Sequence, residues 1–442
     1  MTDSVIDSKM ILNKDNWAKL LGFLLVCFCF FSYELMPYFL WDVYDRGIWG
    51  FIHSLHPKIV ISGLILIVFC FSLPEKISRS QIILTLWAVL SMALSYVIAG
   101  PDIMFSTQWM VIIIFAIYML SSDNVKVHTY NCFHTVFPLL LIIPIIVYFL
   151  LKIGVKVPVY NLESNEAVKN ARGMYYQIYP FTAQWMGRWS KDYYALRFCG
   201  VFREPGVVGT FSALLLCAER FKLRWKWQNI VLLIAGIISF SFAFYGIVAI
   251  YFIIKLLKMD KKWVLAVLGL VVLYVVFINI KMPVAALARF QDRLRVFGGE
   301  VVDNRTNEDY DRIFKALFSG NILGMLFGKG YGSIEAVLSK ELVDGASYKN
   351  LIYNYGILGF LGQLAWMAYA TVEFLNKRGS KWSFYCWSLV IVFIANMYQR
   401  PSYYGLHFLL ILIGAFYKYC TDTEPTKKHF WDFKRGKEYA GN

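Results

Sequence analysis

The chain has 442 residues, of which 58% are apolar, 18% aromatic and only 17% charged, a composition too apolar for a soluble fold of this size. The apolar residues occur in separate runs of membrane-spanning length, so the sequence predicts an all-α polytopic membrane protein forming a single membrane domain over residues 1–442. The formal net charge of +15 is what cytoplasmic loops obeying the positive-inside rule produce, and it does not indicate a nucleic-acid partner.

In chain order, the predicted spans are 17–39, 59–73, 82–98, 109–120, 133–151, 206–217, 230–254, 263–280, 351–374, 382–397 and 404–419. Lys and Arg cluster in the connections around 76–79, 126, 220–226, 255–262 and 377–381 and near both ends of the chain, which the positive-inside rule assigns to the cytoplasm. These charges place the N- and C-termini in the cytoplasm.

The run between Lys226 and Lys255 has cytoplasmic charges at both ends, so it must cross the membrane an even number of times. We therefore expect two short or broken helices that meet near Ser239, Ser241 and Gly246. With this pair, the chain has about 12 transmembrane helices. The same topology places two large loops on the outer face, 154–204 and 281–350, and long connections of this kind are usually functional.

The first outer loop interleaves aromatic residues, Tyr194 among them, with cations that include Arg197 and Arg203. Guanidinium groups match phosphate oxygens in a bidentate fork and stay charged at neutral pH, so this composition favours a sugar phosphate as ligand. For the tyrosines, an aromatic belt at the membrane interface is the alternative.

The first loop ends in Arg203-Glu204-Pro205, directly before a predicted span. Proline is common in the first turn of a helix, and the free backbone N–H groups of that turn form an anion site that Arg203 would reinforce. Glu204 fits two roles, as a cap that stabilises the helix dipole or as a catalytic acid over a shared cavity.

The second outer loop carries Arg289, Arg293 and Arg295, a basic segment that contacts either substrate or lipid headgroups. Arg305 follows, and then apolar residues at helical spacing over 310–318. That spacing predicts an interfacial helix on the outer leaflet that presents Arg312 from its polar side.

The second loop also contains an acidic D-x-D and three closely spaced glycines, and we interpret both as structural features and not as ligand sites. Asp309 and Asp311 form a lone D-x-D, but residues two apart do not face each other on a helix, so we predict no metal. The glycines at 328, 330 and 332 predict tight turns and close helix packing more readily than a phosphate site.

The sequence resembles the superfamily of O-antigen polymerases (Wzy) and O-antigen ligases. The motifs that carry the resemblance are Arg197-x-x-Gly200-x-Phe202 with Glu204-Pro205 and Gly209, then Arg305 followed by Phe327-Gly328-Lys329-Gly330, then Ser347-Tyr348 through Gly356-Ile-Leu-Gly359. Ligases of this superfamily have a histidine before the last of these spans. Residues 344–350 contain none, which favours the polymerase.

The resemblance implies a GT-C-like membrane glycosyltransferase in the bacterial inner membrane, with both large loops in the periplasm and the active site facing them. It implies transfer of the growing glycan from undecaprenyl pyrophosphate to the non-reducing end of an incoming lipid-linked repeat unit, with no cofactor, metal or nucleotide sugar. Undecaprenyl-pyrophosphate-linked oligosaccharide would be both donor and acceptor. Membrane lipids and a chain-length-regulating membrane protein are the other expected partners.

The expected roles of the site residues follow from this reaction, because a leaving pyrophosphate needs fixed cations and an attacking hydroxyl needs a base. The expected pyrophosphate-binding residues are Arg197, Arg203, Arg305 and Arg312, the first and third mainly by resemblance. The expected catalytic residues are Glu204 as base, Asp344 as second candidate base, and Arg203. The expected substrate contacts are Arg289, Arg293, Arg295, Tyr348 and Tyr194.

Two alternatives stay open at this point. An O-antigen ligase would transfer the finished glycan to lipid A core instead of another repeat unit. A lipid-linked oligosaccharide flippase or another transporter would line a pathway with ionisable residues and would carry internal repeats. The predicted spans hold few charges, Glu34 being an exception, and no repeat is evident.

Overall fold

The computed structural model describes residues 2–32, 34–41, 56–104, 108–163, 170–171, 173–187, 196–224, 226–256, 261–280, 288, 291, 296–297, 300–301, 308–318, 322–343 and 345–419. This part of the chain is mostly helical. Its α-helices are α1 Thr2–Cys29, α2 Pro57–Phe71, α3 Arg79–Ala99, α4 Pro101–Met104, α5 Trp109–Leu120, α6 Asp123–Lys152, α7 Pro205–Ala218, α8 Trp227–Ile238, α9 Phe242–Leu256, α10 Lys261–Asn279, α11 Glu308–Ala316, α12 Ile322–Phe327, α13 Ser333–Glu341, α14 Tyr348–Arg378, α15 Ser383–Met397 and α16 Leu406–Tyr419.

Several of these helices suit a lipid environment. Among the described residues, α3, α6 and α14 are long and apolar enough to cross a membrane, and α2, α5, α7, α8, α9 and α16 are shorter apolar helices. On α3, Leu86 and Leu90 are 53% and 65% exposed while Ala88 is buried. A helix with an apolar exposed face fits lipid rather than water as its solvent. The structure therefore supports the predicted multi-pass membrane character.

The predicted break in the run from 226 to 255 is confirmed, because α8 ends at Ile238 and α9 begins at Phe242. Ser239 and Ser241 lie in the break, as expected. Gly246 was also expected at the junction, but it lies inside α9. The backbone N–H of Phe198, in the first outer loop, donates to the carbonyl of Ile238 at 3.1 Å. The end of α8 therefore reaches the loop that precedes α7.

The first loop contains an antiparallel sheet, which corrects the expectation of a purely helical fold. Its strands are β1 Tyr160–Glu163, β2 Met174–Tyr179 and β3 Thr182–Gly187, in the order β1-β2-β3. Side chains alternate along β2, so Tyr176 and Ile178 are buried on one face while Gln177 and Tyr179 lie on the other. A short hairpin in the second loop pairs β4 Val296–Phe297 with β5 Glu300–Val301.

The second loop is fastened to α14 by a polar network. The Tyr310 hydroxyl contacts the Ser347 hydroxyl at 3.0 Å and donates to Asn350 Oδ1 at 2.5 Å. The Asn350 and Asn354 amides donate to the Glu335 carboxylate at 3.2 and 2.9 Å. Burial raises the pKa of Tyr310 to about 12, so its hydroxyl remains a donor at neutral pH.

The predicted amphipathic helix does form as α11, and part of its apolar face contacts protein. Tyr310, Ile313 and Leu317 are buried, and the first two cluster with Ile334 and Leu338 of α13. Phe318 of the same predicted face is 45% exposed, so contact of α11 with the outer leaflet stays a prediction. Hydropathy spacing reveals an apolar face without telling whether lipid or a neighbouring helix covers it.

The glycine turn at 328–330 docks into a break in α14, at Gly356. Gly356 has φ 73° and ψ 174°, a backbone conformation that is essentially restricted to glycine. The break frees the carbonyls of Tyr353 and Asn354, which accept from the backbone N–H groups of Lys329 and Gly330 at 2.8 and 2.9 Å. The packing interpretation of these glycines is thus confirmed, and the turn fixes the start of α14.

Replacing Gly356 by Ala is expected to destabilise the protein. The backbone strain alone costs about 1–3 kcal/mol, and the new Cβ would clash with the carbonyl oxygen of Leu326. Gly246→Ala is the matched control, because a Cβ there meets nothing within 4 Å and Ala favours a helix. Thermal unfolding in detergent should show a lower midpoint for Gly356→Ala only, and equal midpoints would contradict the role of the break.

Candidate functional site

Glu204 precedes α7 in extended conformation, with φ −144° and ψ 145°, and its side chain does not cap the helix. Its carboxylate instead lies 3.2 Å from Nη2 of Arg400, in the connection between α15 and α16. Glu204 therefore makes no capping hydrogen bond, while both its stabilisation of the helix dipole and its role as a catalytic acid or base stay predictions. The carboxylate stands at the beginning of α7 and faces a cation that comes from 196 residues further along the chain.

Arg400 is shared between two carboxylates. Its Nη1 lies 4.0 Å from Oε2 of Glu34, in the turn after α1, and the same oxygen lies 3.3 Å from Nε2 of His407 in the first turn of α16. The Arg400 and His407 side chains are each only 10% exposed. We call Glu34, Glu204, Arg400 and His407 the Glu204 cluster. Half-buried charges persist in this way only when opposite charges surround them.

Gly206 explains why a Pro-Gly pair opens α7. The guanidinium of Arg400 packs onto this turn, and a Cβ at position 206 would lie 2.8 Å from its Nη2. Any larger residue would push the guanidinium away from Glu204. Pro205 meanwhile occupies the first helical position, where its missing N–H has no intrahelical partner to lose.

Arg203 is held by an aromatic stack immediately beside Glu204. Its side chain is buried, and its guanidinium carbon lies 5.0 Å from the centre of a Trp41 ring. Trp41 in turn contacts Tyr176 of β2, with ring centres 4.6 Å apart. Cation–π contact with tryptophan orients a guanidinium while leaving its charge in place. Arg203 thus precedes Glu204 in the chain with its guanidinium on Trp41, whereas Arg400 contacts the Glu204 carboxylate from a distant segment.

Arg197 lies in a different environment from Arg203. It lines a cavity of about 220 Å³ together with Gln177 and Tyr179. Gln177 and Tyr179 are on one face of β2, and Tyr176 is on the other. Tyr176 contacts Trp41, the residue whose ring packs against Arg203. The structure thus separates two arginines that the sequence grouped in one phosphate-binding set.

Arg312 is exposed on α11, where it pairs with Glu341 at 2.9 Å and with Asp309 at 3.4 Å. The other carboxylate of the D-x-D, Asp311, pairs with Lys349 at 2.5 Å. Among the described contacts, none joins Arg312 to the Glu204 cluster. Groups of three or more side chains able to hold a metal ion do not occur in the part of the chain that the structure describes.

Tyr348 lies close to the connection that carries Arg400. It begins α14, and its ring centre is 6.3 Å from that of Tyr398. In the same connection, Tyr403 stacks on Tyr355 of α14, with ring centres 3.6 Å apart. The predicted substrate contact Tyr348 is therefore brought to the same region as the Glu204 cluster. The other predicted site residues, Arg289, Arg293, Arg295, Arg305, Asp344 and Tyr194, lie outside the described residues.

Sequence reasoning missed Arg400 and His407. Arg400 was detectable in principle, because it is a cation in a short connection that the predicted topology places on the outer face, against the usual charge bias. His407 gave no such signal, since a single histidine at the edge of an apolar run most often serves packing. Only the fold brings it to Glu34.

The arrangement can perform acid–base and anion chemistry together. Glu204 can accept a proton, and the Arg400 guanidinium beside it can stabilise negative charge that develops nearby. Comparisons with protein-family models, curated proteins and solved structures give no match.

Proposed function

We propose that this chain is a surface-polysaccharide polymerase of the O-antigen polymerase type. It transfers the growing glycan from undecaprenyl pyrophosphate to the non-reducing end of an incoming lipid-linked repeat unit, and it uses no metal and no nucleotide sugar. The observation that carries the proposal is the contact of Glu204, at the start of an apolar helix, with the buried cation Arg400.

In the proposed reaction, Glu204 takes the proton of the acceptor hydroxyl as that oxygen attacks the anomeric carbon of the donor sugar. The bond between that carbon and the pyrophosphate oxygen breaks, and undecaprenyl pyrophosphate leaves with the bonding electrons. Arg203 and Arg400 stabilise the negative charge that grows on the leaving oxygen. A preorganised guanidinium supplies this stabilisation through bidentate hydrogen bonds.

Glu34 and His407 are positioning residues in this proposal. Glu34 gives Arg400 a second carboxylate, so the guanidinium is held at the centre of the cluster and not drawn wholly onto Glu204. His407 contacts the same oxygen of Glu34 that approaches Arg400. Fixed dipoles and charges lower a barrier because they need not reorganise when the reaction occurs.

The proposed topology places the cluster on the outer face of a bacterial inner membrane. About 12 spans with both termini in the cytoplasm put the Lys- and Arg-rich connections inside. The residues before α7, before α14 and between α15 and α16 then face the periplasm. Glu204 and Arg400 belong to these segments, and Tyr348 and His407 lie in the first turns of the helices that follow them. Glu34 follows α1 on the same proposed side, which suits a reaction of lipid-linked units in the outer leaflet.

The direct test uses purified protein in nanodiscs with its undecaprenyl-pyrophosphate repeat unit and EDTA. A ladder of glycan chains on a gel is expected, because no step of the proposed reaction requires a divalent cation. A ladder that disappears with EDTA and returns with Mg²⁺ would contradict the metal-independent reaction. Failure to extend any lipid-linked repeat unit, with folded protein, would favour the transporter alternative.

The ligase alternative gains one observation from the structure. Ligases of this superfamily place a histidine in the second loop, which this sequence lacks, but His407 supplies a histidine to the Glu204 cluster from another element. Adding lipid A core oligosaccharide to the same assay separates the two activities. Transfer to the core without a ladder would establish the ligase.

A further inference from the structure

We propose that a small cavity beside Arg400 binds one water molecule, and that Asn396 and Gln363 position the Arg400 guanidinium through this water. The cavity lies among α14, α15, α16 and the connection between the last two, and its lining includes all three residues. The inference deepens the proposed function, on which the role of Arg400 rests. It adds two neutral positioning residues to a site otherwise formed by charged groups.

Asn396 and Gln363 both contact the connection that carries Arg400. The backbone carbonyl of Asn396, in the last turn of α15, accepts from the Arg400 backbone N–H at 2.8 Å. The side chain of Gln363, in α14, donates from Nε2 to the carbonyl of Ser402 at 3.0 Å. Both residues are 4% exposed. Their side chains therefore lie next to this segment and have almost no access to solvent.

Among the described residues, three buried polar atoms at this cavity have no hydrogen-bond partner. They are Oε1 of Gln363, Oδ1 of Asn396 and Nε of Arg400. The other two nitrogens of the guanidinium are engaged, because Nη1 and Nη2 face the carboxylates of Glu34 and Glu204. Buried polar atoms in proteins nearly always have a partner, and an ordered water often supplies it.

The three atoms match the bonding capacity of a single water molecule. Oε1 of Gln363 and Oδ1 of Asn396 are acceptors, so each can take one of the two hydrogens of the water. The Nε–H of Arg400 is a donor, and the water oxygen can accept from it. About three hydrogen bonds is the usual number for a buried water. One water therefore satisfies all three groups at once.

The size and charge of the cavity favour water over other occupants. Its volume is about 20 Å³, and a single water needs about 10–15 Å³ on the same measure. A sugar or a lipid headgroup is too large to enter. Two carbonyl oxygens would also suit a cation, but the Arg400 guanidinium repels a cation and its N–H would still lack an acceptor.

The water would hold the guanidinium of Arg400 at its third nitrogen. Glu204 and Glu34 attract Nη2 and Nη1, and the charge on Glu204 changes when it takes a proton. A guanidinium that is also held at Nε keeps its position during that change, so it need not reorganise while the leaving group departs. Loss of either amide oxygen should release Arg400 from this position without altering its charge.

The direct test is a crystal structure of the full chain, grown from a lipidic mesophase, at a resolution that shows ordered waters. One water is expected within about 2.5–3.2 Å of Oε1 of Gln363, Oδ1 of Asn396 and Nε of Arg400. Direct hydrogen bonds among these atoms, with no water between them, would overturn the proposal. An anomalous signal at the cavity after a soak in Rb⁺ would also overturn it, because that signal would identify a cation site.

Asn396→Leu tests the positioning role, because it replaces the amide by an apolar group of similar size and keeps the backbone carbonyl that accepts from Arg400. The variant should lose the water and lower kcat for glycan transfer roughly tenfold or more, the effect of misplacing a catalytic group. KM should change little, since Arg400 acts on charge that develops only in the transition state.

Gln363→Met is the second variant, for the case in which Asn396→Leu does not fold, and it should lower kcat in the same way. Thr371→Val is the matched control. It removes a buried hydroxyl of α14 that donates to the Met367 carbonyl at 2.8 Å, and it should leave kcat unchanged. An unchanged kcat in folded Asn396→Leu or Gln363→Met would overturn the positioning role.

Failure of this inference can be told apart from failure of the proposed function. The crystal structure reveals the water whether or not the protein transfers a glycan. A bridging water in a protein that extends no lipid-linked unit would uphold the water site and contradict the polymerase. A glycan ladder made by a protein whose cavity holds no water would contradict only this inference.

Discussion

Arg400→Ala is expected to lower the rate of glycan transfer by roughly 10²–10³-fold, the usual effect of removing one preorganised donor from a developing negative charge. The Arg400 side chain is 10% exposed and lies between the carboxylates of Glu204 and Glu34. Its removal takes away a cation from the leaving group and also leaves two carboxylates near each other without the charge that separates them. Transfer rates from the glycan ladder in nanodiscs measure the effect.

The matched control for this prediction is Arg378→Ala. Arg378 lies in the last turn of α14 and pairs with Asp123 at 2.7 Å, so its replacement also removes an arginine–carboxylate contact. It should leave the rate within about twofold, because partly exposed ion pairs contribute only about 0–1 kcal/mol to stability. A normal rate in Arg400→Ala, with folded protein, would show that the leaving group is stabilised elsewhere.

Glu204→Gln is expected to lower the transfer rate by roughly 10²–10⁴-fold, the usual contribution of a positioned base. Glutamine has nearly the same shape, and its amide oxygen can still accept from Arg400, so the contact at 3.2 Å can persist without a proton acceptor. Fold and membrane insertion should therefore be retained. Initial rates of repeat-unit addition, compared at equal amounts of folded protein, measure the loss.

Glu341→Gln is the control for the base, since it also replaces a carboxylate that pairs with an arginine, here Arg312 at 2.9 Å on the surface of the second loop. Its rate should match that of the unaltered protein. If Glu204→Gln were equally active, Asp344 would become the candidate base, as the sequence suggested, with Glu34 as the candidate that the structure adds.

Local properties of the chain were predictable because they depend on neighbours in sequence. Runs of apolar residues indicate helices in lipid, and the charges at Lys226 and Lys255 require a pair of short helices, which the structure has as α8 and α9. Arg203-Glu204-Pro205 was placed correctly at the start of α7 for the same reason. The strands of the first loop were missed, although Met174–Tyr179 alternates in burial.

Contacts between distant segments required the tertiary structure. Glu204 and Arg400 are 196 residues apart, and no local pattern records that they meet. The apolar face of α11 was predicted from its spacing, but only the fold shows that Tyr310 and Ile313 of this face pack against α13. Arg197 and Arg203 are six positions apart and seemed one group until the two faces of β2 separated them.

The sequence by itself determined that this is an apolar, mostly helical chain, because hydropathy and charge depend on residues close together in the chain. It also proposed candidate site residues before α7 and around the second loop. The tertiary structure decided which residues contact these candidates. It joined Glu204 to Arg400, Glu34 and His407 and left Arg312 in a surface ion pair. The physical reason is that helices pack through side chains far apart in sequence, so a buried charge finds its partner only when the fold is complete.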